Sequence, residues 1–152
     1  MTDKTPLIFL DANVLFTAAH NPNGKASLLF ELGDQGYWRI ITSSLAVEEA
    51  QRNLAIKFPA FMYRLKALVG SITVAPSVFG AACPISLPEK DRAIFLTALK
   101  CRATHLLTGD IRHFGPFTND PPRTAGLAIM TIADFLKNRD RNLFSPQHKN
   151  KK

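Results

Sequence analysis

Short apolar segments that alternate with segments of helical spacing constrain the fold of this chain more than any other feature. Each apolar segment is rich in β-branched, leucine or aromatic residues and is followed by turn residues, which is typical of buried strands. Because strands that alternate with helices form βαβ units, this order predicts an α/β domain with a mostly parallel central sheet in a three-layer α/β/α sandwich. The predicted strands are 6–11, 37–43, 71–77, 104–110 and 127–132. The predicted helices are 13–20, 25–36, 44–58, 60–70, 89–103 and 133–139.

Two of the predicted strands end on a carboxylate. Asp11 follows "LIFL", and Asp110 follows "LLTG". In an open α/β sheet the functional crevice lies beyond the carboxyl ends of the strands, so both side chains are candidates for a shared site. The alternative is local, because an aspartate is also a common helix N-cap or turn residue.

Two further acids belong to predicted helices. Asp91 shares a helix face with the apolar positions 94, 95 and 98, which points it towards the core, although a first-turn acid also gains from the helix dipole. On the helix 44–58, Glu49 lies at the border of the buried arc, whereas Glu48 points away from it. Helical geometry therefore favours Glu49 as the acid that reaches a cleft and leaves Glu48 as the competing choice.

Carboxylates that converge repel one another unless a divalent cation neutralises them. Oxygen ligands select hard ions such as Mg²⁺ or Mn²⁺, and the sequence contains no paired-histidine motif that would favour zinc. A carboxylate site of this kind suits phosphodiester hydrolysis, because the metal ion activates water and stabilises charge on the reacting oxygens.

Composition excludes several classes of protein. There is no run of about 18 apolar residues that would indicate a membrane span, and the first residues lack the pattern of a secretory signal. Cys83 and Cys101 have no metal-type spacing, so we expect free thiols and a cytoplasmic location.

The positive charge is concentrated at the C-terminus. Six basic residues and one acid after position 136 give +5 of the formal net charge of +7, which leaves +2 for the first 136 residues. We therefore expect a single domain over 1–138 and a basic tail over 139–152 that adds a salt-sensitive attraction to phosphates.

Four stretches together resemble the PIN-domain family, in this order and over about residues 6 to 137. They are "LIFLDANVLFTAA", "ITSSLAVEEAQRNL", "EKDRAIFLTALKCRATHLLTGDIRHF" and "IMTIADFL". The resemblance implies an endoribonuclease that depends on Mg²⁺ or Mn²⁺. Its catalytic and metal-binding acids would be Asp11, Glu49, Asp91 and Asp110.

The short chain is similar to the VapC-type toxins of bacterial toxin–antitoxin pairs. That likeness implies RNA as the substrate, a homodimer, and a small antitoxin protein as the inhibitor.

Four other polar residues are candidates for substrate contacts. Asn13 resembles a polar residue beside the family's pocket, and Thr108 is placed to hydrogen-bond a metal-bound water. Arg112 and His113 follow Asp110 closely enough to touch a substrate phosphate. Each has a structural alternative: a first-turn helix residue for Asn13, strand-end packing for Thr108, and exposed loop for the other two.

Two rival functions are open at this stage. A non-catalytic PIN-like module would bind RNA or a protein, but it has no reason to keep four mutually repelling acids. A receiver-like or phosphatase domain would need a second aspartate two residues after Asp11, where the chain has Asn13. No P-loop or GxGxxG motif is present.

Overall fold

The structure is a computed structural model that describes residues 5–110 and 112–143, with side chains described through Arg139. Within this part of the chain, five parallel strands form one sheet in the order β3-β2-β1-β4-β5. The strands are β1 Leu7–Leu10, β2 Arg39–Ser43, β3 Thr73–Ala75, β4 His105–Leu107 and β5 Ala128–Met130.

Six α-helices connect and follow these strands in the described residues. They are α1 Ala12–His20, α2 Lys25–Asp34, α3 Ser44–Lys57, α4 Met62–Gly70, α5 Glu89–Lys100 and α6 Ile132–Leu143. The predicted α/β class with a parallel sheet is confirmed.

The helices cover both faces of the sheet. Parallel strands are joined by right-handed crossovers, so α3 and α4, which carry the chain from β2 to β3, lie on one face. The connection through α5 runs back across the sheet from β3 to β4 and therefore lies on the other face. Helices α1, α3 and α4 pack against one another, and α2 packs against α6.

The central strands are buried on both sides. Ile8, Phe9 and Leu10 of β1 are each 0% exposed, with no alternation of buried and exposed positions. A strand that is covered by helices on both faces has this continuous apolar pattern. The C-terminal helix adds Phe135, whose ring packs edge-on against Trp38 at 5.0 Å between centroids.

The strands are shorter than predicted, and the differences matter most at β4. Its predicted range of 104–110 contracts to His105–Leu107, because Thr108 turns back to accept a hydrogen bond from the amide of Asp110. The loop predicted over 111–126 contains two short 3₁₀ helices, Gly115–Phe117 and Pro121–Thr124.

The last helix is longer than predicted. It continues to Leu143, beyond the expected end of the domain at residue 138. The rest of the predicted basic tail, residues 144–152, lies outside the described residues. Among the helices that are described, none has the length and apolar character that a membrane crossing requires.

Candidate metal centre

The candidate site lies where the direction of the chain across the sheet reverses. From β1 the chain adds β2 and β3 on one side, and it then returns to place β4 on the other side of β1. The ends of β1 and β4 are joined by a backbone hydrogen bond of 3.1 Å from Asp11 N to Leu107 O. Such a switch point is where open α/β sheets bind their ligands.

Asp11 is a buried carboxylate at the start of α1. Its side chain accepts hydrogen bonds from Ala12 N at 2.7 Å and from the Thr108 hydroxyl at 2.8 Å, so it both caps the helix and faces β4. Burial raises the pKa of Asp11 to about 6. The two hydrogen bonds act in the opposite direction, whereas the charges of Asp91 and Glu49 raise the pKa further.

Thr108 and Asn13 join the ends of β1 and β4. The Thr108 hydroxyl donates to Asp11 and accepts from the amide of Asp110 at 2.9 Å. The Asn13 side chain donates to Thr108 Oγ1 at 3.4 Å, and its own oxygen accepts from Gly109 N at 2.7 Å. These contacts fix the backbone that carries Asp11 and Asp110.

Asp91, Asp110 and His113 form the tightest cluster of ionisable side chains in the described residues. His113 Nδ1 lies 2.9 Å from Asp91 Oδ2 and 3.0 Å from Asp110 Oδ2. One ligand atom from each of the three residues falls within 4.8 Å of the other two, which is a spacing that a single metal ion can span. Asp91 is 5% exposed in the first turn of α5.

The two carboxylates of this cluster are perturbed in opposite directions. Burial and the nearby charge of Asp110 raise the pKa of Asp91, against the opposing effect of His113 and Lys90. Partial burial alone would raise the pKa of Asp110, but hydrogen bonds from the His113 ring and from the amides of His113 and Arg112 outweigh it and lower that pKa.

Glu49 reaches the same region from α3. Its carboxylate forms an ion pair of 3.0 Å with Lys90, and its charge acts on both Asp11 and Asp91. Glu48 is exposed. The structure therefore brings the four acids close together, with Asp91 and Asp110 nearest to a common point and with Asp11 and Glu49 near enough for their charges to act on this group.

The four candidate substrate-contact residues have different positions. Asn13 and Thr108 hold the strand ends together through hydrogen bonds, as described above. Arg112 is exposed, and its backbone amide donates to Asp110 at 3.2 Å. His113 lies inside the acidic cluster rather than on the open surface of the loop.

Two of these features were not predicted from the sequence: the Lys90–Glu49 ion pair and the place of His113 among the acids. Lys90 is next to Asp91 in a helix turn rich in charges, and only the folded structure shows that it pairs with Glu49 of α3. The position of His113 had a weak indication, since it lies three residues after Asp110. A search for paired histidines does not find it, because its partners are carboxylates.

The residues at the centre fit a divalent cation. Buried carboxylates with raised pKa values are stabilised by a positive charge, and the donors are two carboxylates and an imidazole.

Comparison with solved structures identifies the fold. A chain of VapBC2 from Rickettsia felis, solved bound to a DNA fragment from the promoter, is 17% identical with a TM-score of 0.57 and covers 81% of this chain and 96% of its own length. A chain of FitAB bound to the IR36 DNA fragment is 17% identical with a TM-score of 0.54. The match covers 82% of this chain and 94% of the FitAB chain. A third similar structure is VapC20 of Mycobacterium tuberculosis, which is described as a sarcin-ricin loop cleaving toxin. It is 16% identical with a TM-score of 0.49, and the match covers 69% of this chain and 92% of the VapC20 chain.

Comparison of the sequence alone identifies no related protein. No protein-family model matches the chain, and no curated protein matches it. The likeness to VapBC2 and FitAB nevertheless extends over almost the whole length of those chains, with the same α/β architecture and parallel sheet. The chain therefore has the fold of a VapC-type PIN domain.

Proposed function

We propose that this protein is a divalent-metal-dependent endoribonuclease that hydrolyses RNA phosphodiester bonds. The observation that supports this most strongly is the convergence of Asp11, Glu49, Asp91 and Asp110 at the switch point of the sheet. Two of these acids are buried and have raised pKa values, so each carries an electrostatic cost that a bound cation would remove.

Asp91 and Asp110 would hold the ion, with Asp11 and Glu49 completing the negative surroundings. When bound, Mg²⁺ or Mn²⁺ supplies a water molecule of lowered pKa and neutralises charge on the phosphate oxygens. The protein's own part is to orient these carboxylates: Thr108 holds Asp11 and the backbone of Asp110, and Asn13 holds Gly109 between them.

Basic side chains beside the acids supply the contacts to RNA in this proposal. Lys90, whose side chain is 55% exposed, pairs with Glu49, and Arg112 is exposed in the loop after β4. Cations in these positions suit the backbone phosphates on either side of a bond that is held at the acidic centre.

The proposal extends to a role as the toxin of a toxin–antitoxin pair. VapBC2 and FitAB are two-protein complexes bound to DNA. By analogy, this chain would form a homodimer in the cytoplasm and be silenced by a small antitoxin protein.

The test is cleavage of a mixed pool of labelled RNAs by the purified protein. We expect cleavage with added Mg²⁺ or Mn²⁺, none with excess EDTA, and a loss of at least about a hundredfold in Asp11→Asn and Asp91→Asn. Asp134→Asn is the matched control, because Asp134 is an exposed acid on α6, and it should retain full activity.

Full activity in EDTA or in Asp11→Asn would contradict the proposal. RNA binding without cleavage by any metal-loaded sample would instead identify a non-catalytic module.

A further inference from the structure

We infer that His113 is a metal ligand, and that its imidazole makes the centre bind Mn²⁺ in preference to Mg²⁺. This inference rests on the proposed function, because it concerns the choice of ion at the same site. It replaces an all-oxygen centre with one that has two carboxylates and one nitrogen donor.

The distances around His113 are those of neighbouring ligands on one ion. Nδ1 lies 2.9 Å from Asp91 Oδ2 and 3.0 Å from Asp110 Oδ2. Adjacent ligands of an ion with bonds of about 2.1 Å are about 3 Å apart, so the two distances from Nδ1 match those expected between ligands that share one ion.

A single hydrogen bond does not account for this arrangement. Nδ1 of an imidazole offers either one N–H or one lone pair. Here it lies at nearly equal distances from oxygens of two carboxylates, but it has hydrogen-bond geometry only towards Asp110, so the short contact with Asp91 is left without a hydrogen bond. A metal ion satisfies all three donors together.

The fold holds His113 in this position instead of leaving it on a loose loop. Its backbone amide donates to Asp110 Oδ1 at 3.2 Å, and the amide of Phe114 donates to Asp110 O at 3.2 Å. The Phe114 side chain is 0% exposed and anchors the turn in the core. The imidazole is therefore directed back towards the carboxylates by a one-turn structure that begins at Asp110.

A nitrogen donor changes which ion is favoured. Carboxylates suit both Mg²⁺ and Mn²⁺, whereas imidazole is a ligand of transition metals and a poor one for Mg²⁺. Of these two ions, Mn²⁺ gains from the nitrogen and still accepts the two carboxylates.

The experiment measures metal binding directly, without RNA. Isothermal titration with Mn²⁺ and with Mg²⁺ is carried out on the wild-type protein, His113→Ala and His113→Asn, and pulsed EPR of the Mn²⁺ samples detects a directly bound ¹⁴N. His113→Asn presents an oxygen near the position of Nδ1 and serves as the all-oxygen version of the centre. His20→Gln is the matched control, since His20 lies at the opposite end of α1 from Asp11.

We expect the wild type and His20→Gln to bind Mn²⁺ at least about tenfold more tightly than Mg²⁺ and to show the ¹⁴N coupling. In His113→Ala the Mn²⁺ affinity should fall by about tenfold or more, with a smaller change for Mg²⁺ and no ¹⁴N coupling. His113→Asn should lose the coupling and the preference while keeping Mg²⁺ binding.

Unchanged Mn²⁺ affinity in both His113 variants, or no ¹⁴N coupling in the wild type, would overturn the inference. If Asp91→Asn still abolished binding in that case, the metal centre of the proposed function would stand without His113. If the wild type bound neither ion, both proposals would fall.

Discussion

Asp11 combines two roles that the sequence alone presents as alternatives. Its carboxylate caps α1, and it also accepts a hydrogen bond from Thr108 beside the other acids. A helix N-terminus favours a negative charge, yet burial and the neighbouring acids oppose ionisation and raise the pKa to about 6. The ionised form of Asp11 is therefore electrostatically unfavourable in the metal-free protein, as is common at sites where a bound ligand stabilises the charge.

This cost predicts that Asp11→Asn stabilises the metal-free protein at neutral pH. The folded-state pKa of about 6 lies above the ordinary value of 3.8, so the favourable contribution of protonated Asp11 is present below about pH 4 and is lost as the pH rises through 6. The shift corresponds to about 3 kcal/mol at most. Urea unfolding in EDTA should show the variant more stable than the wild type at about pH 7.5, with the difference much reduced at about pH 4. Equal destabilisation at both pH values would contradict this.

Removing the Thr108 hydroxyl should shift the pH dependence of activity. Thr108→Val deletes the hydrogen bond that lowers the pKa of Asp11, so we expect the acid limb of the kcat/KM profile to move to higher pH. The free energy of unfolding should also fall by about 1 to 3 kcal/mol, because Asp110 N loses its acceptor. Thr108→Ser keeps the hydroxyl and should leave the profile in place; a shift in Thr108→Ser as large as that in Thr108→Val would refute the assignment.

At the scale of secondary-structure elements, the site depends on how β1, β4, α3 and α5 begin and end. Asp11 and Asp110 follow strands, whereas Glu49 and Asp91 lie on helices whose starts fix their direction. Ser43, the last residue of β2, caps α3 by accepting a hydrogen bond from Ala46 N at 3.2 Å, and it is 0% exposed. The position of Glu49 thus depends on a cap at the end of a core strand.

Ser43→Ala should destabilise the protein by about 1 kcal/mol, within the range of about 0.5 to 2 for loss of such a cap. Chemical denaturation measures this directly. Ser44→Ala is the control, because the Ser44 hydroxyl is exposed and its contact to Ser77 contributes little. If Ser44→Ala lowers the free energy of unfolding as much as Ser43→Ala does, the loss of the helix cap does not explain the destabilisation.

The order of the elements was predictable, but their exact ends and the contacts between them were not. Apolar runs such as "LIFL" identify β1, and the helical spacing of Asp91 with Ile94 and Phe95 identifies a buried face of α5. Side chains that close a turn, such as Thr108 accepting from Asp110 N, cannot be recognised from spacing, because the strand pattern continues through them. The Lys90–Glu49 ion pair joins two helices on opposite faces of the sheet, and no sequence pattern indicates it.

At the scale of the whole molecule, the strand order places the acids together. Because β1 lies between β2 and β4, segments nearly a hundred residues apart meet at its carboxyl end. His113 shows the limit of sequence reasoning here: its position among the acids depends on the turn after β4 and on the core position of Phe114. The similar structures share this architecture at 17% identity.

The charge distribution predicts a salt-dependent contribution of the C-terminus to RNA binding. Lys149, Lys151 and Lys152 fall in the predicted basic tail. Changing all three to Gln should reduce the slope of log Kd against log salt by up to about 2 for single-stranded RNA, with kcat at saturating RNA unchanged. Fluorescence anisotropy with Asp11→Asn as the background prevents cleavage during the titration. An unchanged slope would show that the tail does not contact RNA.

Anomalous scattering from Mn²⁺-soaked crystals would show whether the distant acids converge to hold a divalent cation. We expect a Mn²⁺ peak within bonding distance of both Asp91 and Asp110, with Asp11 and Glu49 beside it. If these side chains are ordered in the crystals but the peak is absent or lies on another surface, the four acids do not form a metal centre.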